Sequence, residues 1–442
     1  MKKALLAAAA ASLFVLQACG GGGGDSPSAT NTPANGTLAA SSLARNTSPS
    51  VSDTDAAVLR QGNTAFAADL YATLRKDSSF ANKNLFFSPH SISVALAMTY
   101  AGARGTTASE LKNALHFTLP DARLHAAFNA LDLALTSPRP LAREGAAPLT
   151  LRIANSIWGE ATKIFEQPFL DTLATNYGAG IYLVDFKNAP DAARITINDW
   201  VAGKTNDKIL NLLSKGSIDK LTRLVLVNAV YFNGGWSLPF STQATTAGIF
   251  HGVNGDSTAQ MMSNTANFSY GQGNGWRAVN LPYDGGLTFT AILPDNLAAF
   301  ESSFNAATLS DIDIALKRTL VALTMPKFKI EGDSFSVKNA LKTLGATTPF
   351  DDKKADFSGI STDHSDGDLA LYISDVIHKA FISVDEKGTE AAAATAVVIA
   401  TTVSAPLNPP QPVVLTLDKP FVFLIRDTAT GAILFLGRYV NG

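Results

Sequence analysis

The chain has 442 residues, enough for one large mixed domain or two ordinary ones. Hydrophobic residues make up 46% and charged residues only 16%, so there is ample apolar surface to bury, and a formal net charge of −2 argues against nucleic acid or an acidic membrane surface as a partner. The 25 Phe, set against 4 Trp and 9 Tyr, suit a β-rich interior.

Lys2 and Lys3 precede an apolar run over 4–16 that is too short to span a bilayer as a helix, so residues 1–18 read as a signal peptide. The run ends in Leu16-Gln17-Ala18-Cys19, which resembles the lipobox of bacterial lipoproteins, where the cysteine is lipidated and becomes the new N-terminus. Cys19 is the only cysteine in the chain. The competing reading is an ordinary signal peptide with a coincidental cysteine. A lipidated Cys19 would carry two hydrophobic anchors, enough for stable attachment and the sole expected membrane contact. By analogy with bacterial sorting, Gly20 after the cysteine favours the outer membrane or cell surface; the expected location is there, in the periplasm or outside the cell. The mature chain has no disulfide to staple it. Residues 19–54 are mostly Gly, Ser, Thr, Asn, Pro and Ala and read as a flexible tether, with the folded domain over 55–442.

Apolar residues recur at helical spacing over 57–76, at Leu59, Phe66, Leu70 and Leu74. Ser88-Pro89 opens a second helix, with proline where its missing N–H costs nothing; the helix carries Ile92, Leu96 and Met98 and ends at Gly102. Residues 105–110 read as a third start, with a threonine cap and Glu110 in the first turn, and an Ala-rich helix follows over about 121–135. Strands are predicted over 151–158 and 181–186, then a helix over 190–203. The run 224–232 is almost continuously apolar, as expected of a central strand covered on both faces. Asn228 in its middle must find a buried partner. Further strand-like runs lie at 278–281, 287–293, 320–329, 370–385, 413–417, 421–426 and 432–439. Helices first, then strands with scattered helices, argue for an α+β fold with large, mostly antiparallel sheets.

The chain has no G-x-S-x-G elbow, P-loop, G-x-G-x-x-G after a strand or H-E-x-x-H. Its six His, at 90, 116, 125, 251, 364 and 378, do not pair at metal-ligand spacing. No catalytic residue, metal site or cofactor is expected. A Ser-His-Asp site of unfamiliar order stays open at this level, without a local motif to support it.

The region 380–402 combines conflicting preferences. Phe381-Ile382-Ser383-Val384-Asp385 alternates like a strand, Glu386-Lys387-Gly388 interrupts it, and Thr389-Glu390 leads into Ala391, Ala392, Ala393 and Ala394, which favour helix. Residues 395–403 favour strand. Read as a strand, one face carries Thr389, Ala391, Ala393, Thr395, Val397 and Ile399, small at its start and free of charge, while Glu390 lies on the other. Such a face can enter a preformed sheet without burying a charge. The alternative on residues alone is a plain Ala-rich helix or loop.

Glu386-Lys387-Gly388-Thr389-Glu390-Ala391-Ala392-Ala393 resembles the hinge of the serpin reactive-centre loop, and the resemblance runs over roughly 57–442. Asn84-Leu85-Phe86-Phe87-Ser88-Pro89 with Ser91-Ile92, the run 226–232 with Gly234 and Trp236, Ile377-His378-Lys379-Ala380, and the closing runs 421–426 and 433–438 are similar to serpin motifs in the same order. The resemblance implies a serpin fold: a large, mostly antiparallel sheet, two further sheets, eight to nine helices and an exposed loop over about 386–412. It implies a shutter of Ser88, Ser91, Asn228 and His378 where strands part, Trp236 at the breach above, and a hinge of Glu386, Gly388, Thr389, Glu390 and Ala391 to Ala394.

The implied activity is suicide inhibition of a serine protease, through a covalent acyl-enzyme trapped by loop insertion, with papain-like cysteine proteases as occasional targets and a monomer as the working unit. Family spacing from Glu386 puts the reactive bond at Thr402–Val403, with bonds from Ala400 to Ala405 still open. A small β-branched residue at Thr402 suits elastase- or subtilisin-like proteases. The proline-rich segment 406–412 is longer than the family pattern. The alternatives are a non-inhibitory serpin that binds, carries or supports, and a hydrolase; bulky, charged or Pro residues, usual in non-inhibitory hinges, are absent from Thr389 and Ala391 to Ala394.

Overall fold

The computed structural model describes residues 36–139, 149–363, 371–389 and 411–442. Cys19, the hinge residues Glu390 to Ala394 and the expected reactive pair Thr402 and Val403 lie outside the described residues. The helices are α1 (Asp53–Leu74), α2 (Pro89–Tyr100), α3 (Gly105–Ala114), α4 (Asp121–Thr136), α5 (Gln167–Tyr177), α6 (Pro190–Lys204), α7 (Leu297–Ser303), α8 (Ala306–Ala315) and α9 (Lys338–Thr343). The strands begin with β1 (Thr37–Ala39), β2 (Leu85–Phe87), β3 (Thr150–Glu160), β4 (Ile181–Val184), β5 (Leu224–Gly235), β6 (Thr246–Gly252), β7 (Gly255–Gly273), β8 (Trp276–Pro282) and β9 (Leu287–Pro294). They continue with β10 (Lys317–Pro326), β11 (Phe328–Glu331), β12 (Phe335–Ser336), β13 (Asp375–Val384), β14 (Gly388–Thr389), β15 (Val413–Thr416), β16 (Phe421–Asp427) and β17 (Ile433–Tyr439).

Two sheets hold these strands. One has eight, in the order β1-β4-β3-β5-β14-β13-β11 with β12 beside β13; the other has nine, in the order β15-β10-β7-β8-β9-β16-β17-β2 with β6 beside β7. Pairing is antiparallel except at β3–β4, β5–β13 and β10–β15. The fold is the expected α+β class. Two sheets stand where the resemblance implied three, because β7 is long enough to serve two partners in succession. Its first part pairs with β6 and its last with β8, while β10 runs along the middle.

The central strand is as predicted: every residue from 224 to 232 is buried. Its alternating side chains feed three apolar clusters. Val225, Val227 and Ala229 face α6 with Trp158 and Ile197. On the opposite face, Leu226 joins the cluster under α1 and α2, whereas Val230 and Phe232 join the cluster between the two sheets. Asn228 has the same parity as Leu226 and Val230. It therefore sits at the seam between two hydrophobic cores, not inside either.

The tether boundary needs correction. Residues 36–52 belong to the fold: β1 adds an antiparallel edge strand to β4, and Arg45 reaches Asn129 and Asp132 on α4 at 2.9 and 2.6 Å. A polar, Ala-rich segment with few large side chains is held by main-chain pairing and side-chain hydrogen bonds, which composition does not reveal. The third helix starts at Gly105, but Arg104 is its N-cap and no side chain caps it. Glu110 instead accepts from the backbone of Thr347 and Thr348. The strand expected over 370–385 begins at Asp375, and the loop expected from 386 begins with residues that lie in the sheet. The β6–β7 hairpin and α5 escape the periodicity reading.

Candidate functional site

The site is built on β5 and β13. These strands pair directly and in parallel from Val225–Asp375 to Val230–Ala380. Beyond that point they separate, and β14 fills the gap, with Thr389 opposite Val384 on one side and Gly234 on the other. The sheet is thus closed below and parted above.

The polar row lies in the closed part. Asn155, Asn228 and His378 stand side by side across β3, β5 and β13. Ser88 caps α2 and accepts from the Ser91 N–H at 3.3 Å; its own Oγ donates to the Leu434 carbonyl at 2.6 Å. The Ser88 N–H donates to Nε2 of His378 at 3.1 Å, so Nε2 is unprotonated and Nδ1 carries the hydrogen, which it donates to Oδ1 of Asn228. The Asn228 amide donates to Ser91 Oγ at 2.5 Å and to Asn155 Oδ1 at 2.6 Å, and Ser91 Oγ donates to Asn155 Oδ1 at 2.6 Å. Burial holds the His378 imidazole at a pKa of about 3, against a smaller opposing contribution from Asn228. The ring is neutral, as this hydrogen-bond pattern requires.

Ser88, Ser91, Asn228 and His378, expected to form a shutter, therefore meet, and Asn155 joins them. It was missed in the sequence, although a signal was there. Leu151, Ile153 and Ile157 alternate on one face of the strand, and Asn155 interrupts that face.

The breach lies above. Trp236 is buried, stacks on Tyr283 at 4.3 Å and donates through Nε1 to the Asp385 carbonyl at 2.9 Å. The Trp236 and Phe240 N–H groups donate to the carbonyls of Lys387 and Glu386 at 2.8 and 2.9 Å. The carboxylate of Asp385 accepts from the N–H groups of Lys387 and Gly388, closing a tight turn. Gly388 has φ +153°, and a Cβ there would lie 2.1 Å from the Gly234 carbonyl oxygen. Only glycine fits that approach.

Glu386 is buried and held on two sides, by Lys327 Nζ at 2.9 Å and by the Thr245 hydroxyl, which donates at 2.8 Å. Burial alone would raise its pKa; the hydrogen bonds from Lys327 and Thr245 outweigh it and keep the carboxyl below its ordinary value. Thr389 is fully buried. Lys327, Thr245 and Tyr283 carried no sequence signal, because they come from distant segments. Among the described residues, no group of His, Cys, Asp and Glu is arranged to hold a metal ion.

The sheet is closed by a polar clasp at one level and parted above it, with Gly388 and Thr389 in the gap. The family model described as Serpin (serine protease inhibitor) matches residues 61–442. The chain belongs to the serpin family. It is 37% identical to the human leukocyte elastase inhibitor over 86% of this chain and 98% of that protein. It is 38% identical to an uncharacterized serpin-like protein of Thermococcus kodakarensis over 85% and 84% of the two chains. Among solved structures, the native state of the thermophilic serpin tengpin superposes with a TM-score of 0.78 at 30% identity, covering 90% of this chain and 98% of that one.

Proposed function

We propose that this protein is a suicide-substrate inhibitor of serine proteases, with elastase- or subtilisin-like enzymes as targets and papain-like cysteine proteases as secondary ones. The observation that carries the reading is the parted β5–β13 pair, with Thr389 already buried in the gap and a charge-free run of small residues next in line on the same face. The relation to an elastase inhibitor supports the target class.

The chemistry belongs to the protease. Its serine Oγ attacks the carbonyl carbon of the bait residue, for which Thr402 is the candidate. The bond to Val403 breaks, the nitrogen of Val403 leaves as an amine with the proton relayed by the protease's base, and an ester to the inhibitor forms. Cleavage frees the hinge, which inserts between β5 and β13. The new strand gains main-chain hydrogen bonds along both edges. About 13 inserted residues span roughly 40 Å. That displacement drags the tethered protease and pulls its catalytic groups out of line, where shifts of about 1 Å already cost about 10²-fold. The inhibitor needs no catalytic residue, metal or cofactor and acts as a monomer. Exported, and anchored by lipid on Cys19, it would act at the cell surface.

Incubating the protein with elastase-, chymotrypsin-, subtilisin- and trypsin-like proteases tests this. An SDS-stable adduct with a small-residue-specific protease is expected, and the mass of the released C-terminal peptide identifies the bait bond. Absence of an adduct with every protease, together with no gain in thermal stability after loop cleavage, would overturn the reading and leave a non-inhibitory serpin.

A further inference from the structure

The tip of the β7–β8 hairpin, the entry to α7 and one side of α8 enclose a cavity that shares no residue with the clasp or the parted strands. Its volume is about 520 Å³, inside the range of about 300–1,000 Å³ usual for small-ligand sites. Three ties fix its walls. The Asp295 N–H donates to the Gly275 carbonyl at 2.9 Å and joins the hairpin tip to the loop before α7. The Asn296 side chain caps α7, accepting from the Ala299 N–H at 2.9 Å. The Thr308 hydroxyl on α8 donates to the Ser303 carbonyl at 3.1 Å and closes the turn between the two helices. The cavity is therefore preformed.

Two independent features of the lining point to a ligand. Asp295 and Asp311 are exposed on it, and among the described residues neither carboxylate is committed to a hydrogen bond or an ion pair and no Lys, Arg or His shares the lining. Trp276 supplies the second. It is only 8% exposed, yet its indole N–H has no acceptor among the described residues. A Cβ on Gly273 would lie 2.8 Å from that nitrogen, and Gly273 is itself exposed on the cavity. The bare glycine thus leaves the Nε1 edge of a nearly buried ring open to the cavity, where the donor calls for an acceptor.

We propose that this cavity binds a neutral saccharide of about disaccharide size. The chemistry of the lining selects the class. Two carboxylates without a basic neighbour disfavour an anion. The indole N–H needs an acceptor, which a bare metal ion or an ammonium group lacks. Sugar hydroxyls donate and accept at once, so one can donate to Asp295 or Asp311 while another accepts from Nε1 of Trp276. Asn274, exposed at the hairpin tip, adds an amide that can do both. Phe300 supplies apolar surface for the C–H edges of a pyranose ring. None of this rests on the inhibitory function proposed above.

The test titrates the full protein with cellobiose, maltose, lactose and N,N′-diacetylchitobiose, read by saturation-transfer NMR of the sugar and by tryptophan fluorescence. Saturable binding of at least one is expected. Because the ligand is uncharged, its affinity should change by less than about two-fold between about 0.05 and 0.5 M salt. Asp295→Asn and Asp311→Asn, both at exposed positions, should keep the thermal midpoint and weaken binding by about ten-fold or more. Trp276→Phe, which keeps an aromatic ring and loses the N–H, should weaken it by about five-fold and remove the fluorescence response.

Failure of all four sugars to bind would overturn the proposal, as would binding that none of the three variants weakens. Binding of spermidine or a lysine peptide with steep salt dependence, and of no sugar, would make the cavity an acidic patch only and overturn it equally. If Trp276→Phe does not fold, the two Asp variants decide. Adduct formation with proteases is read in a separate assay, so the saccharide site and the inhibitory reading stand or fall apart.

Discussion

His378 and Asn228 stand opposite each other in register on β13 and β5, and the hydrogen bond from Nδ1 of His378 to Oδ1 of Asn228 crosses the seam along which these strands part. The clasp is local to one row. Below it β5 and β13 pair from Val225–Asp375 to Val227–Ile377; above it they pair for two more residues, to Val230–Ala380, before Gly388 and Thr389 stand between them. Opening the sheet for a whole inserted strand must therefore break this row.

Asn228→Ala strands His378 Nδ1 and removes one bond each from Ser91 Oγ and Asn155 Oδ1, which still bond each other. A stranded buried group costs about 1–3 kcal/mol. The expected result is a lower denaturation midpoint with an unchanged slope, together with faster amide exchange along 225–230 and 375–380. Asn155→Ala should show the same signature more weakly, since His378 and Asn228 keep each other. Retained stability in Asn228→Ala would show that the clasp contributes nothing net.

The buried histidines set an acid limit. Burial lowers the pKa of His378 to about 3 and those of His90 and His125 to about 4. In the unfolded chain each titrates near 6.5, so between about pH 6.5 and about pH 4 the unfolded state binds more protons than the native state. Stability should be unaffected by these groups above about pH 7 and should fall as the pH drops through that window, by up to about 1.4 kcal/mol per pH unit for each histidine. Chemical denaturation from pH 7.5 to 4.5 measures this. His125→Phe, which removes one titrating group, should flatten the curve.

Glu386 and Lys327 form a test of asymmetry. The Glu386 side chain is 8% exposed while that of Lys327 is 38% exposed. Lys327→Met leaves a buried carboxylate without its cationic partner, so it should destabilise the hinge turn more than Glu386→Gln does, and adding Glu386→Gln to Lys327→Met should recover part of the loss. Thermal midpoints of the four members of the cycle provide the measurement. A double variant less stable than Lys327→Met would contradict this account.

Thr389→Arg places a charge on the face that enters the sheet. Burying it unpaired is prohibitive, so the hinge should stay out. The variant is expected to be cleaved by the target protease as an ordinary substrate and to yield little adduct, as judged by the ratio of cleaved to trapped protein on a denaturing gel. An adduct yield equal to wild type would mean that insertion is not the inhibitory step.

The arm formed by residues 36–52 should be structural. Arg45→Ala loses the bonds to Asn129 and Asp132 and leaves the buried Asn129 amide with only the backbone oxygens of Asn46 and Thr175. A loss of about 1–2 kcal/mol is expected in denaturant unfolding. Truncation through residue 40 should further expose the β4 edge and increase aggregation, measured by light scattering on heating.

Much of this was written locally. The central strand was legible because nine consecutive buried residues leave an almost continuously apolar run, and Asn228 stood out within it as a polar group that must be partnered. That Thr389 and the residue after it would face opposite sides of a strand was legible from parity alone. Ser88 and Pro89 announced the helix that carries the clasp. These features depend on a few neighbouring residues and on fixed backbone geometry, which is why the sequence by itself determined them.

The tertiary structure alone decided what meets what. Asn155, Lys327, Thr245 and Tyr283 come from four separate segments, and Tyr283 is 106 residues from Thr389, whose hydroxyl it meets. No periodicity links such positions; packing of the two sheets brings them together. The same holds for residues 36–52, whose polar composition suggests a free tether but whose backbone completes a sheet edge. The resting position of the hinge was also beyond the sequence. Thr389 lies in the gap between β5 and β13, and that gap exists only once the chain has folded.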